Sequence, residues 1–503
     1  MKKIAILVIF LTLIAKFFGF ARDLTLSYFY GTSYISDAYI ISLTICVSIF
    51  GIIGKSVKSS FIPLYKEIEI KSNLKNENIF LNSVLNIMLV FVLLLSVVCI
   101  IFMEEVVFIF ASGFKGEVLD MTILFTRIAI IGMSLTVLMN ILSGFFQIKG
   151  NHTLPALISL PLNILIVIMI VLSSKYSLIF LPVGLLLGGT VQFLILFFYS
   201  KKYSFHYKPY INFKNKSIRK LFRNALSVFI GTSSHQINLI VDRTLASQII
   251  EGGISALSYA NRLNSFVQSI FVLSISTVMY PLLSQAAVEN NRKQFNHTLE
   301  YALSAIAIMI IPVSVFTMIF SEEIITLLFG RGDFDDRSIY LTAGPLFYYS
   351  LGMLALAYKE VLNQAFYAYN NTRTPMYNSL LGVSINIPLN FILSSIMGIN
   401  GLALATSISA VITTILFIIS YKKKNKNFSF KNNIIIILKT LVASILMGII
   451  VYYSHVIFID LFTSWFSFIL ILIIGIITYI GCLVLLKVRE LNSLFNIFLS
   501  KFK

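Results

Sequence analysis

Lys16, Arg22, Asp37, Arg127, Asp242, Arg243, Arg262, Lys359, Glu360 and Lys439 all stand inside long apolar runs of this sequence. A charge at the middle of a bilayer costs about 2.5 to 3.5 kcal/mol, so each one needs a route to water, a partner or a ligand. Lys439 lies within two turns of the start of its run and can snorkel to the headgroups. Lys359 and Glu360 sit near the end of theirs and can pair or snorkel. Arg127, two turns into the fourth run, divides between snorkelling and lining a cleft. The rest concentrate on the first, second, seventh and eighth runs. There Lys16, Arg22, Arg243 and Arg262 form a cationic set that Asp37 and Asp242 offset only in part. The two aspartates read either as ion pairs that fix helix register or as switch elements that change partners between states. The positive excess is the chemistry of an anion site: guanidinium forks match phosphate oxygens two at a time, and a diphosphate would engage several of them.

The elements that must carry these residues are membrane spans. The chain has 503 residues, is 58% hydrophobic and 12% charged, and has a mean hydropathy of +0.90, outside the range of soluble domains. Apolar runs of spanning length follow one another almost end to end. They predict an all-α integral membrane fold of about fourteen helices, starting with residues 4–20 and ending with 465–486. The first run is read as an uncleaved helix, because Lys16 interrupts it and no small-residue cleavage pattern follows. Cys46, Cys99 and Cys482 lie in apolar runs and read as packing residues. The histidines are scattered, and no HExxH, GxSxG or P-loop pattern occurs, so neither an enzyme nor a metal or cofactor is expected.

The net charge of +18 is a topology signal. Most cations fall in the termini and in the loops on the side of the termini, a bias carried by loop 55–78, loop 200–224 and the run YKKKNKN from Tyr421. The opposite loops carry Glu104, Glu105, Glu117 and Asp120, then Glu322, Glu323, Asp333, Asp335 and Asp336. The positive side is the cytoplasm, so both termini are expected there. No aromatic platform interleaves the basic loops, which argues against nucleic acid as a partner and leaves membrane lipids.

The chain also resembles itself at an offset of about 220 residues. Arg22-Asp23 lies opposite Asp242-Arg243, Ser27 opposite Ser247, and Tyr39 opposite Tyr259. FIPLY at Phe61 matches MYPLL at Met279, and Glu104-Glu105 matches Glu322-Glu323. Leu142, Phe146, Asn151 and Pro155 match Leu362, Phe366, Asn371 and Pro375. An even number of spans in each copy makes the repeat parallel. The expected lobes are residues 1–200 and 225–420, each of six helices, joined by a basic linker, 201–224. A basic loop, 421–432, then leads to two further helices and a cytoplasmic tail, 433–503. Lobes so related can rock about a central cleft and give alternating access. The last two helices either add lipid-facing packing or form a surface for a hydrocarbon tail.

GFARDLTLSYFYGTSYISDAY (Gly19 to Tyr39), QINLIVDRTLASQIIEGGISALSYANRL (Gln236 to Leu263), LLFGRGDFD (Leu327 to Asp335) and NNTRTP (Asn370 to Pro375) together resemble the MurJ (MviN) family of lipid II flippases, within the MOP exporter superfamily that also holds the MATE transporters. The resemblance spans nearly the whole chain. It implies export of an undecaprenyl-diphosphate-linked peptidoglycan precursor to the outer leaflet of the bacterial cytoplasmic membrane, an arginine-rich cavity, and a lipid groove near the last two helices. On this likeness Arg22 is the cation of GFARD, Asp37 the acid of SDAY, and Arg262 the arginine of YANRL. Lys16 stands where many members carry arginine, which keeps the charge without the fork. Asn261 stands where some carry aspartate. Ile49 and Phe50 fall where arginine is often found, with Lys55 and Lys58 nearby as substitutes. Drive by membrane potential or by a coupled ion is open. Other readings of the same architecture are a flippase for another undecaprenyl-linked glycan of capsule or O-antigen type, a multidrug or cation antiporter, which would favour a more acidic cleft, and a non-transporting scaffold.

Overall fold

The computed structural model describes residues 2–71, 74–212, 215–425, 428–458, 464–488 and 490. The tail after the last helix, 491–503, lies outside the described residues, as do Lys214 and Lys426 of the basic loops. Among the described residues every regular element is helical. The chain divides into two compact units, Met1–Ser255 with Arg331–Asp335, and Ala256–Gly330 with Asp336–Lys503.

The first unit holds α1 (Lys2–Tyr30), α2 (Tyr34–Cys46), α3 (Ile52–Lys71), α4 (Leu74–Ile101), α5 (Met103–Phe110), α6 (Glu117–Met133), α7 (Thr136–Ile148), α8 (Thr153–Leu157), α9 (Ser159–Lys175), α10 (Phe180–Ser200) and α11 (Lys216–Ile249). α2 starts at a capping box in which the Ser33 hydroxyl accepts from the Ser36 N–H and the Ser36 hydroxyl accepts from the Ser33 N–H. It runs through a π-helical turn, Val47–Gly51, into α3. The second unit holds α12 (Gly253–Val288, whose first turn belongs to the first unit), α13 (Arg292–Ile319), α14 (Ser321–Phe329), α15 (Asp336–Leu351), α16 (Met353–Ala368), α17 (Arg373–Met397), α18 (Ile399–Lys424), α19 (Lys431–Phe458) and α20 (Ser464–Leu485). Its core centres on α13, with Leu299, Leu303 and Ile306 fully buried. The last two helices join that core: Asn433 donates to the Glu300 carbonyl at 3.0 Å, and the Tyr479 hydroxyl donates to the Ile308 carbonyl at 2.6 Å.

The sequence repeat reappears as backbone. Pro63 and Pro281 each sit inside a helix, α3 and α12. Helix breaks at Phe102 and Phe320 are followed by α5 and α14, whose first turns carry Glu104-Glu105 and Glu322-Glu323, where acids suit the positive end of the helix dipole. α7 and α16 end alike. Gly150 and Asn370 take positive φ, and the N–H groups of Asn151 and Asn371 donate back to the carbonyls of Phe146 and Phe366, closing each helix with a left-handed cap.

Each of the fourteen expected spans falls on a helix or helix pair. By length and apolarity alone, however, the described residues contain eleven spanning helices, or twelve if α15 and α16, bent by 49°, are one span. The count of fourteen is therefore not reached. The two helices outside it are α1 and α11. α11 carries the polar stretch GTSSHQIN between Gly231 and Asn238.

Within the linker the segment from Ser204 to Tyr210 is strapped to α4. Asn78, Asn82 and Asn86, one turn apart on α4, bond an extended segment at alternate peptides. Asn78 accepts from the His206 N–H and donates to the Ser204 carbonyl; Asn82 accepts from the Lys208 N–H and donates to the His206 carbonyl; Asn86 donates to the Lys208 and Tyr210 carbonyls. Four residues of helix advance about 6.0 Å and two of extended chain about 6.6 Å, so the two repeats stay in register.

Candidate functional site

The α1–α2 hairpin carries the first cluster of expected residues. Arg22 is buried on α1. Its Nε and Nη2 donate to Asp23 Oδ1 at 3.0 and 2.8 Å, and Nη1 donates to Asn163 Oδ1 on α9 at 3.4 Å. The neighbouring carboxylate holds the guanidinium plane, and α9 holds its far end. Lys16, on the same helix, is exposed.

Asp37 is buried on α2 with both oxygens occupied: Oδ2 accepts the Gly252 N–H at 2.8 Å and Oδ1 the Ser255 N–H at 2.7 Å. A carboxylate receiving two backbone N–H groups at the start of a helix caps it with full charge assistance. Arg243 on α11 ties down the same turn, with Nη1 donating to the Ile254 carbonyl at 2.7 Å. Asp242 accepts a long bond, 3.5 Å, from Asn238. The repeat partners Arg22-Asp23 and Asp242-Arg243 thus do different work. Arg22 bonds its neighbour Asp23, and Asp242 and Arg243 bond Asn238 and the Ile254 carbonyl.

Two glycine turns complete this end of the first unit. Gly252 (φ +81°) lies against the Thr32 carbonyl, and Gly332 (φ +65°) against that of Tyr28, where the Asp333 N–H also donates to Tyr28 at 2.8 Å. Neither position has room for a Cβ, and both need a conformation that glycine adopts freely. The motif LLFGRGDFD is accordingly a docking turn on the first hairpin.

The other expected residues are dispersed. Lys58, half-buried on α3, donates to Ser143 Oγ at 3.0 Å, while Lys55 on α3 and Arg127 on α6 are exposed. Arg262 and Asn261 are exposed on α12, in the second unit, and Asn261 Oδ1 accepts from the Ser265 hydroxyl at 3.4 Å. Lys439 donates to the Leu486 carbonyl at 2.8 Å.

Sequence reasoning missed one ionic centre. Lys149, in the turn after α7, bridges Glu69 at 2.7 Å and Glu77 at 2.8 Å, and Glu77 also accepts from the Tyr65 hydroxyl at 3.0 Å. Burial pushes the Lys149 ammonium down, but hydrogen bonds to Glu69 and Glu77 and the charge of both outweigh it, so its pKa lies above the ordinary lysine value. Glu77, a lone acid at the head of the third apolar run, was the signal available.

The model of the family described as lipid II flippase MurJ matches residues 26–474. A probable lipid II flippase MurJ of Rickettsia prowazekii is 27% identical over 500 residues, covering 97% of this chain and 98% of that one. Its counterpart from Buchnera aphidicola subsp. Baizongia pistaciae is 28% identical over 419 residues, 82% and 81% of the two chains. A solved lipid II flippase MurJ in an inward closed conformation superposes with a TM-score of 0.84 at 28% identity, covering 97% of this chain and 99% of that one. An inward-facing MATE-family multidrug transporter of the MOP superfamily shares the fold, with a TM-score of 0.70 at 13% identity over 84% of this chain and 98% of that one. With a family model matched along most of its length, and the hairpin, docking turns and repeat caps all in place, this multi-pass membrane chain belongs to the MurJ family of lipid II flippases.

Proposed function

We propose that this chain carries lipid II from the inner to the outer leaflet of the bacterial cytoplasmic membrane by alternating access, with both termini in the cytoplasm. Family membership along nearly the whole chain is the observation that carries the reading. In it, Arg22, Arg262, Lys16 and Arg243 engage the diphosphate at successive stages. Arg22 suits this role because Asp23 and Asn163 already fix its guanidinium, so little order remains to be imposed when an anion arrives. Arg262 and Lys16, both exposed, add further cations. Asp37 and Asp242 act as the switch elements: release of the Gly252 and Ser255 N–H groups from Asp37 would free the α11–α12 turn. Membrane potential acting on these charges, or a coupled ion, supplies the drive.

The test is complementation of a strain depleted of its lipid II flippase by the wild-type chain, with Arg22→Ala and Arg262→Ala at matched expression. Rescue by the wild type alone supports flippase and clamp together. No rescue by a well-expressed wild type would point to another undecaprenyl-linked glycan, and rescue by all three would remove the clamp.

A further inference from the structure

The strapped linker presents a surface apart from the charged first hairpin. Its extended segment, Ser204 to Tyr210, runs beside the first turns of α4, a helix long and apolar enough to cross a membrane, and follows directly on the end of another such helix, α10. Non-helical backbone beside a span needs protein partners for its polar groups, and the three asparagines supply them at alternate residues.

The strap also sorts its side chains. Phe205 is buried, and Tyr207 anchors through its hydroxyl to Asn86 Oδ1 at 2.7 Å while its ring packs edge-on against Phe197 of α10. Lys208 is exposed, and about half of the Tyr207 and Tyr210 surface is exposed as well. Just upstream, at the end of the α10 span, exposed Lys201 and Lys202 sit over the Phe198 and Tyr199 rings, 5.4 and 4.7 Å from the centroids. Cations held at fixed places among exposed tyrosines, beside the end of a span, have the make-up of an interfacial anchor.

We propose that Lys201, Lys202 and Lys208, with Tyr207 and Tyr210, form a seat for the headgroups of anionic glycerophospholipids of the cytoplasmic leaflet. The lysines bind the headgroup phosphate and the tyrosines lie along the upper acyl chain. The asparagine ladder pre-pays the ordering of the segment, so lipid binds a surface already formed. The inference stands apart from the transport reading and concerns bulk lipid rather than cargo.

The test uses the full chain, purified and delipidated in detergent, with retained lipids counted by native mass spectrometry during titration with phosphatidylglycerol or phosphatidylcholine. The wild type should prefer phosphatidylglycerol by about tenfold at low salt, with the preference falling as salt rises. The triple variant Lys201→Gln/Lys202→Gln/Lys208→Gln should lose the preference while melting at the wild-type temperature. Inorganic phosphate at millimolar concentration should not displace the lipid. An unchanged preference in the triple variant, or displacement by inorganic phosphate, would overturn the proposal. If the triple variant does not fold, Lys208→Gln alone and the wild-type salt dependence decide, and a salt-independent preference overturns it equally.

Discussion

Asp37 and Ser255, 218 positions apart in the chain, meet through a 2.7 Å hydrogen bond from the Ser255 backbone N–H to the Asp37 carboxylate. The second oxygen takes the Gly252 N–H, so one side chain satisfies two donors that the start of α12 would otherwise leave bare. Hydrogen bonds to charged groups contribute about 1.5 to 3 kcal/mol each. Asp37→Ala should therefore lower the melting temperature and abolish complementation. Asp37→Asn keeps one acceptor oxygen and should fall between the two. Equal melting of Asp37→Ala and wild type would remove the cap from the account.

Arg22 depends on the shape of its donor set as much as on its charge. Arg22→Lys retains the cation but cannot give Asp23 two bonds while reaching Asn163. Loss of one charge-assisted contact corresponds to about a tenfold loss of function. Plating efficiency of the depletion strain should drop by that order, and full rescue by the lysine variant would show that charge alone suffices.

Removing Lys149 leaves Glu77 buried beside Glu69 without its cation. Lys149→Met should cost about 3 kcal/mol, and the added change Glu77→Gln should recover much of it. The ammonium is held above its ordinary pKa, so its contribution is complete below the unfolded value of about 10.4 and is lost only as pH rises through the folded one. The melting difference between wild type and Lys149→Met should accordingly be the same at pH 7 and pH 9. A difference that shrinks over that window would contradict the assignment.

Glycine positions separate strain from contact. Gly116 has φ +56° but open space around its would-be Cβ, whereas Gly332 has φ +65° and meets the Tyr28 carbonyl. Gly116→Ala should cost about 1 to 3 kcal/mol, and Gly332→Ala more, because the Asp333–Tyr28 bond must move as well. Paired melts of the two variants measure the difference, and equal losses would rule out the docking turn.

Much of this was legible in the residues. Pro63 and Pro281, the glutamate pairs after Phe102 and Phe320, and the asparagines at 151 and 371 mark breaks and caps that a duplicated backbone reuses, so they survive as matching letters. The charged residues of the first hairpin also stood out, because bilayer energetics single them out. Their partners were harder to see. Pairing of Arg22 with adjacent Asp23 depends on rotamers, and the acceptance of backbone N–H groups by Asp37 depends on where residue 252 folds, which no local pattern encodes. Among the described residues α11 is not counted as a span by length and apolarity, because it is polar through its middle.

The ladder of Asn78, Asn82 and Asn86 has a consequence for how this chain can vary over generations. A connector between duplicated halves is ordinarily where insertions and deletions collect. Here the match of four helical residues to two extended ones makes length a conserved quantity. One inserted residue between Ser204 and Tyr210 would put the peptide groups on one side of it out of step with the asparagines. Natural variants should therefore change letters within the strap far more readily than they change its length.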